Sequence, residues 1–409
     1  MHNEKDYRIL SQYVYRVDEK AKDYDPNLKV ETIIKDKDFH YKILKIEDDT
    51  SNGMQAMAVA PFINGKVDTS EIVIAYAGTN PGDGLDRWTD IQTVIGGSKE
   101  LDTSKLFETA TPIDGQVITV EKFAEDVKND YPDAVTTTTG HSLGEYIALF
   151  VAAENGWKNV GFNGPDPYQI LSDDAKVWVE ENPGMLFNYR NKKDWIGNFG
   201  SNGTGAEVLV DMDMGGHIKD TGAFHSLSTW EFDEKGHLII KDTYANKEAR
   251  LVQAEKLMYA RMIELASLAK KLKASGGGLS TNEEIYLNDT EALIVIESAS
   301  NSMKIGLEYV IKIYQDAILG VEETWVEGIQ RAKLIGNELS YYEIIDALAA
   351  GGATKYAIVN KPTAYYKEKI ANAKQIEESF NRLATVIRTS IKKVKDTDED
   401  LARQISQGV

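Results

Sequence analysis

The 409-residue sequence contains no cysteine. That excludes disulfides, thiolate metal sites and a cysteine nucleophile, and it leaves the compartment open. No apolar run approaches the ~20 residues that a membrane-spanning helix needs. The first residues, MHNEKDYRIL, carry no charged-then-apolar leader, so an ordinary secretory signal is not expected. Positive charge is outnumbered by negative. The first 249 residues hold 25 Lys and Arg against 43 Asp and Glu, and the remainder holds 21 against 22. Nearly all of the net charge of −19 therefore lies in the first part. Such a surface repels phosphate backbones, so no nucleic-acid partner is expected.

Proline is also rare, and its placement divides the chain. Eight of the nine prolines precede residue 186, and only Pro362 lies beyond. The early part is rich in glycine and short β-forming runs. Beyond Tyr244 the text changes to long stretches of helix formers. Residues 1–245 are expected to form an α/β domain, and residues 246–409 an elongated all-α domain.

Within the first part, residues 5–21 have helical spacing. Residues 39–46 and 55–62 read as strands joined by a turn at 48–53. EIVIAYA at 71–77 is a nearly continuous apolar run suited to a buried parallel strand. Residues 117–131 contain a helix, and 134–140 form a Thr-rich strand. A helix follows at 145–155, then strands at 158–162 and 184–190. Residues 230–242 read as a hairpin turning at 233–236. In the second part, helices are expected over 248–275, 282–319, 321–348 and 363–407, punctuated by three glycines at 276–278, two at 351–352 and Pro362. No internal repeat is evident.

The stretch TTTTGHSLGEYIALFVAA, residues 136–153, carries the chemistry. Residues 140–144 match G-x-S-x-G, with a strand before and a helix after. A serine hydroxyl is a weak nucleophile that needs a base within hydrogen-bond reach. In this motif it sits on a tight strand-to-helix turn, which requires small flanking residues. Ser142 is thus the expected nucleophile. The base should follow it. His2 and His40 precede the serine, His141 adjoins it and should point elsewhere, and His237 falls in the expected hairpin turn. His217 and His225 remain, and His225 is favoured because an apolar-aromatic segment follows it. The acid should end a strand between Ser142 and the base. Asp194, just after the strand at 184–190, is preferred over Asp166, Asp211 and Asp213. The oxyanion donors are expected to be the N–H of Leu143 and the N–H of Thr79, which follows the buried strand. No metal or other cofactor is called for.

Two enzyme classes write nearly the same motif. Lipases write GHSLGG or GHSLGA, whereas malonyl-type acyltransferases write GHSLGEY. The wider chain resembles the class 3 lipase family of α/β-hydrolases. That family shows an apolar strand ending in Arg-Gly-Thr, a close Trp and Asp, GHSLGG, then Asp and His. Here the elements read Ala77-Gly78-Thr79, Trp88 with Asp90, residues 140–144, Asp194 and His225. They span about residues 1–240. Three positions depart from the pattern: Ala77 replaces Arg, Trp88 and Asp90 stand one residue closer, and Glu145 replaces a small residue. Glu145 is read as an ordinary first-turn residue whose carboxylate suits the helix dipole, tolerant of replacement by Ala. The acyltransferase reading lacks the early GQG segment, the substrate arginine some two dozen residues after the serine, and a reason for the Gly-Thr strand end and the helical half.

The helical half resembles the LXG-type targeting domains of type VII secretion substrates, on the stretches at 282–303 and 395–405. Trp325 and Gly328 only faintly echo a W-x-G turn. Hydrolase first and targeting domain last is the reverse of the usual order, and some exported lipase toxins share it. The resemblance implies a phospholipase-type antibacterial effector, made in the bacterial cytoplasm and secreted without a cleavable signal. It also implies small helical WXG- or Lap-like partners on the helical half and an immunity protein that blocks the lipase domain. The competing readings are an intracellular or general carboxylesterase with a helical partner-binding domain, and a binding module whose hydrolase half is secondary.

Overall fold

The computed structural model describes residues 2–19, 21, 23–36, 39–49, 54–78, 113–212, 221–276 and 279–406. Two compact units emerge, Met1–Ile263 and Glu264–Val409. The first is a mixed α/β unit and the second is helical.

In the first unit, nine strands among the described residues form one sheet. They are β1 (Ile33–Asp36), β2 (Phe39–Asp49), β3 (Met54–Ile63), β4 (Lys66–Val67), β5 (Glu71–Tyr76), β6 (Val135–Gly140), β7 (Lys158–Phe162), β8 (Leu186–Asn191) and β9 (Glu207–Val210). The spatial order is β1-β2-β3-β5-β6-β7-β8-β9, with β4 paired to β3. Pairing is antiparallel from β1 to β5 and parallel from β5 to β9.

The side-chain period of two explains why this sheet is covered on both faces. Ile72, Ile74 and Tyr76 of β5 point into one core with Phe123, Val127 and Leu149. Val73 and Ala75 point into the other with Tyr7, Leu10, Val14, Phe162, Tyr189 and Trp230. Helix α1 (Glu4–Tyr13) covers the second face, and α2 (Ile113–Asp130) and α3 (Leu143–Asn155) cover the first. The helical spacing expected over 5–21 stops early: α1 ends at Tyr13 and a 3₁₀ turn, Val14–Val17, completes the segment. The expected hairpin at 230–242 reduces to one bridge, Phe232 to Leu238, around a turn closed by Asp233 and Gly236. Strands β1 and β9 and a helix α4 (Asp173–Glu181) are additions to the reading from sequence.

The division between units falls inside α5 (Lys247–Gly276), beyond the boundary expected at 245. The reason is that the start of α5 packs on the sheet. Ala249 joins the second core, and the buried Lys256 donates to the Leu186 carbonyl at 2.8 Å.

In the second unit, α6 runs from Thr281 to Ile335 without interruption, where two helices meeting at Gly320 were expected. A Cβ at Gly320 would meet nothing, so that glycine faces open space and costs only propensity. The chain leaves the helix at Gly336 instead. Trp325 and Gly328 lie inside α6, so no W-x-G turn exists there. Reciprocal caps start both α6 (Ser280 with Glu283) and α7 (Tyr341–Ala350; Ser340 with Glu343). Helix α8 (Lys361–Ser406) packs antiparallel to α6: Ser300 bonds Arg388, whereas Tyr314 stacks on Tyr366. No described helix is long and apolar enough to cross a membrane.

Candidate active site

The Thr-rich strand β6 ends at Gly140, and α3 begins at Leu143. The two residues between them make the turn. Ser142 has φ 60° and ψ −130°, a conformation that L-residues rarely adopt. Glycines make it possible. A Cβ at Gly140 would lie 2.2 Å from the Gly144 carbonyl oxygen, and one at Gly144 would lie 2.3 Å from the Tyr76 oxygen. Strand end, turn and helix start are therefore in backbone contact. Ser142 donates its N–H to the Phe162 carbonyl at 3.2 Å, which ties the turn to the end of β7. Its side chain is 1% exposed, and its Oγ has no hydrogen-bond partner among the described residues.

Asp194 lies in the turn after β8. It is fully buried, and its Oδ1 accepts the N–H of Ile196 at 3.1 Å. Its Oδ2 meets Nδ1 of His225 at 2.8 Å. The closeness of Gly197 to this carboxylate is required, because a Cβ there would lie 2.6 Å from Oδ2. His225 is buried at the end of the 3₁₀ turn Thr221–His225.

His225 is carried to the serine turn by its backbone. The His141 ring lies 4.7 Å from the His225 ring, centroid to centroid. His141 Nε2 donates to the His225 carbonyl at 2.7 Å, and the Asn163 side-chain amide donates to the same oxygen at 3.0 Å. With Nε2 carrying the proton, Nδ1 of His141 accepts from the Tyr15 hydroxyl at 3.0 Å. Burial, reinforced by the neighbouring His225, lowers the His141 pKa to about 3, which keeps that ring neutral. Both ring nitrogens of His141 are taken up by Tyr15 and the His225 carbonyl, and this grip on the base is not legible in the sequence. Asn163 was also missed. It adopts φ 52°, and its Oδ1 accepts the Asn191 N–H at 2.9 Å.

The other candidates stand as follows. Asp166 is occupied elsewhere, by the N–H groups of Tyr168 and Thr204 and by the Thr204 hydroxyl. Asp211 lies 3.7 Å from Lys193 Nζ, and its N–H bonds Asn246. Asp213 and His217 lie outside the described residues, as do Thr79, Trp88 and Asp90. Gly78, just before Thr79, is packed against the turn: a Cβ there would lie 2.8 Å from the His141 oxygen and 3.2 Å from the Gly144 nitrogen. Leu143 is the first residue of α3, so its N–H has no acceptor within the helix, and the positive end of the helix dipole lies there. One reading changes outright. Glu145 is fully buried, not an ordinary first-turn residue; its carboxyl lies against Gly161 and its methylenes against Gly164.

No family model and no curated relative matches the chain. A crystal structure of a mutant form of MDLA from Penicillium cyclopium is similar at a TM-score of 0.29 and 16% identity. The match covers 50% of this chain and 78% of that one. A likeness at that level carries no argument.

Proposed function

We propose that the first unit is an α/β-hydrolase, a serine lipase that cleaves acyl esters of phospholipids. One observation carries the reading: beside a buried, strained serine, His141 holds the backbone carbonyl of a histidine whose Nδ1 is 2.8 Å from a buried aspartate. Ser142 Oγ attacks the ester carbonyl and His225 takes its proton. Asp194 fixes the imidazole orientation and stabilises the imidazolium. The oxyanion of the tetrahedral intermediate lies at the N–H of Leu143, with Thr79 as the second donor. Collapse releases the alcohol, which His225 protonates. Water then attacks the acyl-serine, with His225 again as base, and the fatty acid leaves.

The serine-first order of the three residues and the parallel strands leading into them support the hydrolase reading over acyl transfer. The helical unit, read with its resemblance to LXG domains, supports a role as a type VII-secreted antibacterial toxin of the TslA kind, with the targeting region last. On that reading small helical partners bind residues 264–409 and an immunity protein covers the lipase unit.

The enzyme claim is tested by replacing Ser142 with Ala. Ester cleavage should fall by about 10⁴- to 10⁶-fold in a variant that melts like the wild type. Retained activity would refute the assignment. A general carboxylesterase would cleave soluble esters and leave phospholipid vesicles intact. The partner claim is tested by co-expressing the full chain with small helical proteins encoded beside it; none co-purifying would remove its support.

A further inference from the structure

Glu145 is placed where no first-turn carboxylate would be expected. It is fully buried in α3, three residues after Ser142, and its N–H bonds the Ser142 carbonyl at 3.1 Å. Its Oε1 accepts the Asn159 amide of β7 at 2.7 Å, while Oε2 is buried with no hydrogen-bond partner among the described residues. Two glycines make its room. A Cβ at Gly161 would lie 1.5 Å from Oε2, and one at Gly164 would lie 2.5 Å from the Glu145 Cβ and Cγ and 2.9 Å from the Ser142 carbonyl oxygen. Neither glycine has positive φ, so space is what each supplies.

The corner that Glu145 fills is the one that holds the base. Gly164 follows Asn163, whose side chain grips the His225 carbonyl at 3.0 Å and the Asn191 N–H at 2.9 Å. The Gly164 carbonyl is itself fixed by Asn188 Nδ2 at 2.7 Å and by the buried Arg190 Nε at 2.9 Å. The Ser142 carbonyl and the Glu145 methylenes both lie against Gly164, at the corner carrying the group that places His225. Both Ser142 and Asn163 occupy the left-handed half of φ space, so neither holds its conformation without support.

We propose that Glu145 is a positioning residue: its side chain, methylenes against Gly164 and carboxyl anchored on β7, is the spacer that sets the distance between the Ser142 turn and the Asn163–Gly164 corner, and thereby between Ser142 and His225. Burial raises its pKa well above the usual carboxylate range. The Asn159 hydrogen bond, the Arg190 charge on β8 and the Gly140 backbone oppose that shift only in part. Burial thus favours the protonated form, a polar side chain of the length and shape of glutamine. This inference rests on the reading of Ser142 as the nucleophile.

The test uses the full chain and a fluorophosphonate, which reports serine nucleophilicity without reference to the natural substrate. The limiting inactivation rate and the half-saturating concentration are measured for wild type, Glu145→Ala and Glu145→Gln, with the melting temperature of each. Because a displacement of an ångström in such a site costs up to about 100-fold, Glu145→Ala should lose roughly 10- to 100-fold in limiting rate. Its half-saturating concentration should hold. Glu145→Gln, which keeps shape and acceptor, should react within about threefold of wild type. If Glu145→Ala does not fold, Glu145→Asp takes its place, and it must label more slowly than Glu145→Gln. A wild-type rate in the Ala variant, or the Asp variant where it stands in, overturns the proposal, and so does a Gln variant as slow as Ala. A wild type that is not labelled on Ser142 refutes the nucleophile reading itself, which is a separate outcome.

Discussion

Asp194 and His225 meet side chain to side chain at 2.8 Å, although 31 positions separate them in sequence. Both are buried, so the contact is made away from water, where a charge-assisted hydrogen bond is strong. Asp194→Asn keeps the volume but places an amide where the carboxylate accepted, which favours the wrong imidazole tautomer. Turnover of an ester should fall by about 10³- to 10⁴-fold with little change in KM. Steady-state kinetics decide it, and a fall of less than about tenfold would show that the carboxylate is dispensable.

Gly197 lies against that carboxylate. In Gly197→Ala the new methyl would stand 2.6 Å from Asp194 Oδ2 and 2.7 Å from the Asn163 carbonyl oxygen. One contact is to backbone, so relief requires the turn to move. Urea denaturation should show a loss of about 1–3 kcal/mol, and hydrolysis should weaken with it. An unchanged midpoint with full activity would mean that the turn has slack.

His141 links acid stability to the site. Its pKa falls from 6.5 to about 3 on folding, so the unfolded chain binds this proton first as pH drops. The stability that the neutral ring contributes is present above pH 6.5 and is lost between there and about 3, by up to about 1.4 kcal/mol per pH unit. Tyr15 and the His225 backbone face the ring. In His141→Gln that decline should be shallower, as read by denaturant titrations at a series of pH values. Parallel curves for the two proteins would contradict the buried, neutral ring.

Glu145 should act in the opposite sense. Its folded pKa lies above the ordinary 4.5, so the unfolded chain gives up this proton first as pH rises. Its contribution is complete below 4.5 and is lost as the pH climbs toward the folded value. Arg190 is the cation whose field reaches it. The stability difference between wild type and Glu145→Gln should therefore move in favour of Gln from pH 5 to 9. A difference that stays constant would show that the carboxyl is ionised in the folded protein.

How much of this was legible in the sequence depends on the range of the forces involved. Strands β2, β3 and β5 to β8 announced themselves because apolar runs and alternation are local signals. The turn at Ser142 did so because Gly140 and Gly144 flank it. Asp194 and His225 were selected by chain order and strand ends, and the structure brings their side chains together. Glu145 was misjudged because first-turn position predicts exposure, and only Gly161 and Gly164, from a different strand end, reveal the space that buries it. Asn163 and His141 were silent for the same reason: their partners lie 62 and 84 positions away. Gly320 misled in the other direction. Whether a glycine ends a helix depends on what surrounds it, and nothing surrounds this one.

The central claim is that Ser142 hydrolyses phospholipid acyl esters. Vesicles of defined phospholipid, incubated with wild type and with Ser142→Ala and analysed by mass spectrometry, test it most directly. Free fatty acid with matching lysophospholipid from the wild type, and neither above background from the variant, is the predicted result. Intact lipid in both reactions, or equal release by the variant, would contradict the account.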